Sequence, residues 1–385
     1  MLPLQGITIV SLEHAIAAPF ATRQLADLGA RVVKIERPEV GDFARGYDER
    51  VAGQSSHFVW TNRSKESLDL DLKSELGREA LTRLIAKADV LVQNLAPGAT
   101  ARMGFDYETL SRLNPRLIVC EISGYGQDGP YRDRKAYDLL IQSESGFLSV
   151  TGTPADMAKA GCSIADIAAG MYAYTNILAA LLERNQTGRG KHIDVSMLEA
   201  MAEWMSFPMY YAYNGASQPP RVGASHATIF PYGPFAAADG EVMLGIQNER
   251  EWASFCAIVL EAAEIATDAR FVTNSLRSAN RAELGAIIAK VFSGLSRDTI
   301  VSRLDHARIA NANVNDMAGL RNHPQLAARQ RWVEVQSPAG PVSALLPPGQ
   351  RSARMDPIPA LGAHTQAILK EVGLGGDRAG GICAV

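Results

Sequence analysis

Cysteine is scarce: there are four among 385 residues, at positions 120, 162, 256 and 383. No two form a C-x-x-C pair, so neither a zinc site nor a disulfide framework is expected. No His, Cys and carboxylate set has metal-ligand spacing. The first strand-to-helix turn lacks G-x-G-x-x-G and reads Leu12-Glu13-His14-Ala15-Ile16-Ala17-Ala18-Pro19. Without glycines its backbone cannot approach a pyrophosphate closely, which disfavours the usual dinucleotide mode. The only P-loop-like string, TGRGK at 187–191, has the wrong spacing, and no G-x-S-x-G nucleophile elbow is present. Long apolar runs are also missing. The nearest, 164–182, carries Asp166 and Asn176, and charge is expensive inside a membrane, so a buried helix is expected and no membrane partner. The N-terminus shows no basic region ahead of an apolar core, which points to a cytoplasmic chain. With 38 Lys+Arg against 41 Asp+Glu the formal charge is −3, giving no basic field for nucleic acid.

What is present is strand–helix alternation. Residues 6–11 and 31–36 read as strands flanking a helix over 18–28 that stops at Gly29. Helix 75–87 leads to strand 89–93, helix 107–113 to strand 117–122, and a further strand covers 192–196. This is α/β: a Rossmann-like parallel layer. Residues 206–232, rich in Gly, Pro, Tyr and Ser, read as a linker. Beyond it Asp239-Gly240 marks a hairpin, followed by helices near 250–263, 281–294 and 297–304. Strands return over 331–350 and a last helix over 363–372. The expected layout is a large domain (1–205 and 331–385) with a smaller α+β domain (233–330) inserted in it.

Several side chains qualify for chemistry. Asp138 stands between Tyr137 and Leu139-Leu140-Ile141, at an edge where a carboxylate can be partly desolvated. The plain alternative is a carboxylate satisfied at a helix N-terminus. Backbone N–H groups near Ser145-Gly146 and Thr151-Gly152 are candidates for the same site. Asp166 is the only charge in an apolar helix and needs a partner. His14 follows the first strand, where open α/β sheets place ligands. His226 lies in the linker, and such segments often line clefts. Arg37, Lys73 and Arg102, all near element ends, suit phosphate groups.

Longer motifs then carry a resemblance. They are Leu25-Ala26-Asp27-Leu28-Gly29-Ala30, Val32-Val33-Lys34-Ile35-Glu36-Arg37-Pro38, Gly41-Asp42, Asn62-Arg63-x-Lys65-x-Ser67-Leu68, Asn114-Pro115-Arg116-Leu117-Ile118, Ser123-Gly124-Tyr125-Gly126, Tyr137-Asp138 and Leu361-Gly362-x-His364-Thr365. Over essentially its whole length the chain resembles the class III coenzyme A transferases (formyl-CoA transferase-like), a group that includes 2-methylacyl-CoA racemases. The resemblance implies an interlocked, ring-shaped homodimer. It also implies that coenzyme A or an acyl-CoA is a substrate and that no cofactor is permanently bound. Asp138 matches the family's nucleophile, which passes through an aspartyl anhydride and an aspartyl-CoA thioester. His14, Ile16, Arg37, Leu72, Lys73, Asn94, Leu95, Arg102 and Met103 match positions lining CoA. Racemases place a His before the Asp; here it is Tyr137, a poor proton carrier near neutral pH. Asp166 matches the second racemase acid–base residue, so α-proton transfer and a non-catalytic CoA binder are the competing readings. Some members carry consecutive glycines in a small-domain loop, where this chain reads Gly223-Ala224-Ser225-His226. That makes oxalate with formate a doubtful pair and favours dicarboxylates such as succinate, malate, citramalate or mesaconate. Arg45, Tyr47, Tyr137 and His226 are the expected substrate contacts, with Arg45 or His226 meeting the second carboxylate.

Overall fold

Apolar β-branched runs that are buried on both faces build the central layer. A computed structural model of the chain describes residues 1–375; Cys383 lies outside them. Six strands form one parallel sheet: β1 (Thr8–Leu12), β2 (Arg31–Glu36), β3 (Lys65–Asp69), β4 (Val90–Gln93), β5 (Ile118–Ser123) and β6 (His192–Ser196). Their order is β3-β2-β1-β4-β5-β6. Ile9 pairs with Val32 on one side and Val90 on the other, and all three are buried. The strand order reverses between β1 and β4, which opens a crevice at their C-terminal ends.

β3 is a correction to the sequence reading, which had no strand there. Its sequence, KESLD, looks solvated. Yet Lys65 and Ser67 are buried, because their polar atoms find partners inside.

The chain divides into two compact units. One comprises Met1–Ser145, Ala160–Met205 and the chain from Leu326 on; the other comprises Gly146–Lys159 and Ser206–Gln325. Residues 146–159, read from sequence as part of the large domain, group with the second unit. All of the expected linker, 206–232, does so too, and it contains a short helix, Ser206–Tyr211. The second unit holds an antiparallel sheet of β7 (Tyr232–Ala237), β8 (Gly240–Gly245) and β9 (Ala310–Asn313) in the order β7-β8-β9. The expected hairpin at Asp239-Gly240 joins β7 to β8. Trp252, Phe255, Phe271, Ile288, Phe292 and Leu304 fill this unit's core. In the first unit β10 (Trp332–Val335) and β11 (Val342–Leu345) pair, and the last described helix is Thr365–Glu371.

The helix Ile164–Thr187 is long and apolar enough by length and composition to cross a membrane. In this structure it packs against the Ala17–Asp27 helix and against β5 and β6. Gly170 makes the helix crossing close: a Cβ there would stand 2.7 Å from the Ala17 carbonyl oxygen. At its far end Arg184 is buried and pairs with Asp89 at 2.9 Å.

Gly170 therefore gives a test of packing against propensity. Alanine is the better helix former by about 1 kcal/mol. Gly170→Ala is nonetheless expected to lower Tm, because backbone and Phe20 must move. A raised Tm in thermal unfolding would contradict the close crossing.

Candidate functional site

Four neighbouring strands deliver the residues expected to meet CoA. His14 and Ile16 follow β1, Arg37 follows β2, Leu72 and Lys73 follow β3, and Asn94 and Leu95 follow β4. Arg102 and Met103 close the short helix Ala99–Arg102 on the same chain excursion. Because the strands are parallel and adjacent, these loops share one sheet edge. Asn94 locks that edge: its Oδ1 accepts the His14 N–H at 2.8 Å and its amide donates to the His14 carbonyl at 2.9 Å. The Gln93 side chain accepts the Leu95 N–H at 2.7 Å and donates to Glu121 at 2.7 Å. Glu121 in turn meets His192, also at 2.7 Å.

Phe43, which the sequence reading did not single out, lies between two of the expected residues. Its ring centroid is 4.9 Å from that of His14 and 4.4 Å from the Arg37 guanidinium carbon. It is 54% exposed, so an aromatic surface stays open beside the Arg37 cation. The His14 Nδ1 is buried without a partner, and burial pulls the imidazole below its ordinary pKa, so it is neutral near neutral pH. Ile16 is buried at 5% exposure, which leaves little side-chain surface for a ligand. Among the described residues Arg37, Lys73 and Arg102 form no ion pair; Arg37 and Arg102 donate only to carbonyls of their own loops. They are the unneutralised cations of this edge.

Beneath the edge lies a buried ionic cluster. Glu13 Oε1 accepts from Lys65 at 2.7 Å and from Lys34 at 3.3 Å, and Lys34 also bonds Asp42 at 2.7 Å. Glu13, Lys34 and Lys65 have no exposed side-chain surface. Burial opposes the Glu13 charge, but Lys65 and Lys34 overcome it and bring its pKa down to about 2. Burial and the neighbouring Lys34 pull Lys65 downward, since two lysines share one carboxylate. Asp42, also buried, extends the cluster to the turn after β2. Its Oδ1 accepts the Ala15 and Ala44 N–H groups, both at 2.9 Å, fixing the turn that presents Phe43. Ala15, at φ +59°, holds the sharp bend at the end of β1.

Asp138 begins a seven-residue helix, Asp138–Glu144. Its carboxylate also serves a second, longer helix. Oδ1 accepts the Ala165 N–H at 2.8 Å and the Asp166 N–H at 3.3 Å. Those are first-turn donors of Ile164–Thr187, whose own N-cap, Ser163, makes no side-chain cap bond. Oδ2 accepts the Gln142 amide at 2.6 Å. Gln142 is fully buried and its Oε1 is held by the Ala160 N–H at 2.9 Å. The anion is thus stabilised by three donors and the positive end of a long helix. The half-buried Asp166 carboxyl sits beside it, and burial together with the Asp138 charge raises its pKa to about 7. Tyr47 faces the same place: burial and the Asp42 and Asp166 charges raise its phenol. Tyr137 is 70% exposed in extended backbone just before the nucleophile candidate.

Two expected substrate residues do not stand as free groups. Arg45 grips the buried Glu36 bidentately, at 2.7 Å on each arm, and its guanidinium lies 3.7 Å from the Phe58 ring centre. Its fork is used in the fold, by Glu36, instead of standing free for a second substrate carboxylate. His226 belongs to the second unit, where Nδ1 accepts the Thr228 and Ile229 N–H groups at 3.2 and 3.1 Å. It also stacks on Tyr232 at 5.3 Å, so it braces its own turn. Gly146, Thr151 and Gly152 also lie in the second unit.

Structural and chemical duties of Asp138 are separable. Asp138→Asn keeps an acceptor for Ala165 and Asp166 but loses the Gln142 bond, because the Gln142 carbonyl is already held by the Ala160 N–H. Asp138→Ala removes the cap, at about 1 kcal/mol. Thermal unfolding is expected to give the Asn variant a Tm between those of wild type and Ala. Equal values would show that the carboxylate does not cap the long helix.

Comparison with known proteins identifies the family. The sequence profile of CoA-transferase family III matches residues 4–365. Human succinyl-CoA:glutarate CoA-transferase is 33% identical, covering 98% of this chain and 87% of that one. Acetyl-CoA:oxalate CoA-transferase of Acetobacter aceti is 36% identical, with 88% of each chain covered. The crystal structure of a CaiB/BaiF family protein from Brucella suis superposes with a TM-score of 0.85 and 34% identity, covering 96% of this chain and 99% of that one. The chain therefore belongs to CoA-transferase family III and is a CoA-transferase.

Proposed function

We propose that this chain moves CoA from an acyl-CoA thioester to a small dicarboxylic acid, with Asp138 as the nucleophile. The observation that carries the reading is the Asp138 carboxyl group at the N-terminus of Ile164–Thr187, half-buried and fixed by three donors. A carboxylate oxygen attacks the thioester carbonyl, the C–S bond breaks, and a mixed anhydride forms with CoA thiolate as leaving group. The thiolate then attacks the Asp138 carbonyl. This releases the donor acid and leaves an aspartyl-CoA thioester for the acceptor acid to take over by the reverse steps. Each stage exchanges activated acyl groups of similar energy, so none faces the barrier of a direct exchange between acid and thioester.

The sheet edge fits the other end of the substrate. Arg37, Lys73 and Arg102 match the phosphates of CoA in sign and in lacking carboxylate partners, and Phe43 with His14 offers aromatic surface beside them. The acceptor class rests on relatives: the human protein is named for glutarate and the Acetobacter one for oxalate, both dicarboxylates. Oxalate thus belongs among the acceptors to be tried, whatever the loop at 223–226 suggests. Arg45 is committed to Glu36, so another cation must meet the second carboxylate.

We also propose the interlocked homodimer. Leu139, Leu140, Leu182 and Trp204 in the first unit are 45–68% exposed, and so are Phe207, Met209 and Tyr211 in the second. That much open apolar surface suits a partner copy.

The test is intact mass after incubation with a panel of acyl-CoAs, alongside steady-state assays with mono- and dicarboxylate acceptors. Wild type is expected to gain CoA covalently, Asp138→Ala and Asp138→Asn are not, and dicarboxylates are expected to lead in kcat/KM. No adduct with any thioester would overturn the nucleophile. Monocarboxylates matching dicarboxylates would overturn the acceptor class.

A further inference from the structure

The Asp166 carboxyl is unusual for its position. It stands on the first turn of Ile164–Thr187, and its own N–H donates to Asp138 Oδ1. Among the described residues no donor bonds its carboxyl and no cation faces it. The groups that do face it are Asp138 on the adjoining helix and Tyr47 of the turn after Asp42, with Tyr137 beside Tyr47. Arg23 and Asp27 of the Ala17–Asp27 helix meet the long helix further along, at Tyr174. On β5 and β6, Glu121 and His192 pair with each other. A half-buried carboxyl without a donor, set against a fixed carboxylate, is costly as an anion. As a neutral acid it has an O–H to give from the helix turn next to Asp138, in addition to the phenol O–H groups of Tyr47 and Tyr137.

All three donors around Asp138 are already spent on its carboxylate oxygens. The negative charge that develops in the reaction sits elsewhere, on the thioester carbonyl oxygen. That oxygen lies one carbon beyond the attacking Asp138 oxygen and needs a donor of its own.

We propose that Asp166 is a catalytic residue of this transferase whose carboxylic acid donates a hydrogen bond to the oxyanion formed when Asp138 adds to the thioester. The inference rests on Asp138 being the nucleophile. Addition forms the C–O bond and places the electron pair on the carbonyl oxygen, where the Asp166 O–H meets it. Collapse restores the carbonyl and breaks the C–S bond, and the electron pair leaves on sulfur. Asp166 keeps its proton throughout, so no proton is consumed. The same donor serves the later additions, which pass through like oxyanions. An ionised Asp166 does the opposite, repelling both the oxyanion and the incoming acid anion. Its pKa near 7 places that loss at the alkaline side of neutrality.

The test compares kcat and KM from about pH 6 to pH 9 for wild type, Asp166→Asn and Asp166→Ala, with folding followed by circular dichroism. Wild-type kcat is expected to fall as pH rises through about 7, as the acid ionises. Asp166→Asn cannot ionise but still donates through its amide. It is expected to stay within about tenfold of wild type and to lose the alkaline fall. Asp166→Ala is expected to lose about 10²–10³ in kcat with little change in KM, the usual effect of removing one oxyanion donor. An Asn variant that keeps the wild-type alkaline fall, or an Ala variant of near-wild-type kcat, would overturn the proposal. If either variant fails to fold, the carboxylic C=O infrared band of the wild type decides: it must persist at pH 6 and vanish by pH 9. A band absent at pH 6 overturns the proposal. The Asp138 reading is judged separately, by whether wild type forms the covalent CoA adduct.

Discussion

Asp138 replaces a missing cap. The 24-residue helix Ile164–Thr187 starts at a serine that caps nothing, and a carboxylate from another segment supplies the acceptor for its first-turn N–H groups. That arrangement points the carboxylate and leaves it half-open to solvent. It also ties the proposed nucleophile to the longest helix of the first unit. The helix is fixed by the Gly170 crossing with Ala17–Asp27 and by the Arg184–Asp89 pair at its other end. A nucleophile placed this way cannot drift without unwinding a helix turn, which is the preorganisation that acyl transfer needs.

The second constraint is electrostatic and lies under the sheet edge. Glu13, Lys34, Lys65 and Asp42 are buried together, where removing one partner of an ion pair typically costs about 3–5 kcal/mol. The cluster spans β1, β2, β3 and the turn that carries Phe43, so it sets the relative positions of three loops at once. The inner charges are neutralised within the fold, while Arg37, Lys73 and Arg102 above them are not. The edge therefore presents net positive charge only where an anionic ligand would lie.

Much of the architecture could be read from local signals. The strands around 6–11, 31–36, 89–93 and 117–122 are largely apolar runs; Gly29 marks the turn into the second of them, and Asp239-Gly240 marks the hairpin of the second unit. β3 escaped because Lys65, Glu66 and Asp69 read as solvated; only tertiary pairing with Glu13 makes Lys65 an interior residue. The Arg45 ion pair was hidden for the converse reason: an arginine near a glycine turn looks free until Glu36 is seen beside it. The motif pairs Lys34 with Glu36, Gly41 with Asp42, and Asn62 with Lys65 were visible as strings. Their meaning as one cluster depends on strand order, which periodicity does not give. Asp138 was legible as a candidate in both senses. The structure joins the two, since the carboxylate satisfied by helix N–H groups is the proposed nucleophile itself.

The central claim is that Asp138 carries the acyl group covalently, and oxygen exchange tests it most directly. One round of transfer to an acceptor acid labelled with oxygen-18 in its carboxylates should move one labelled oxygen into the Asp138 side chain. The bridging oxygen of the second anhydride stays with the aspartate when the new thioester leaves. Mass analysis of the peptide carrying Asp138 reads this out. Label on Asp138 after a single turnover is the result predicted. Full conversion of the acceptor to its CoA thioester with no label on Asp138 would contradict the account.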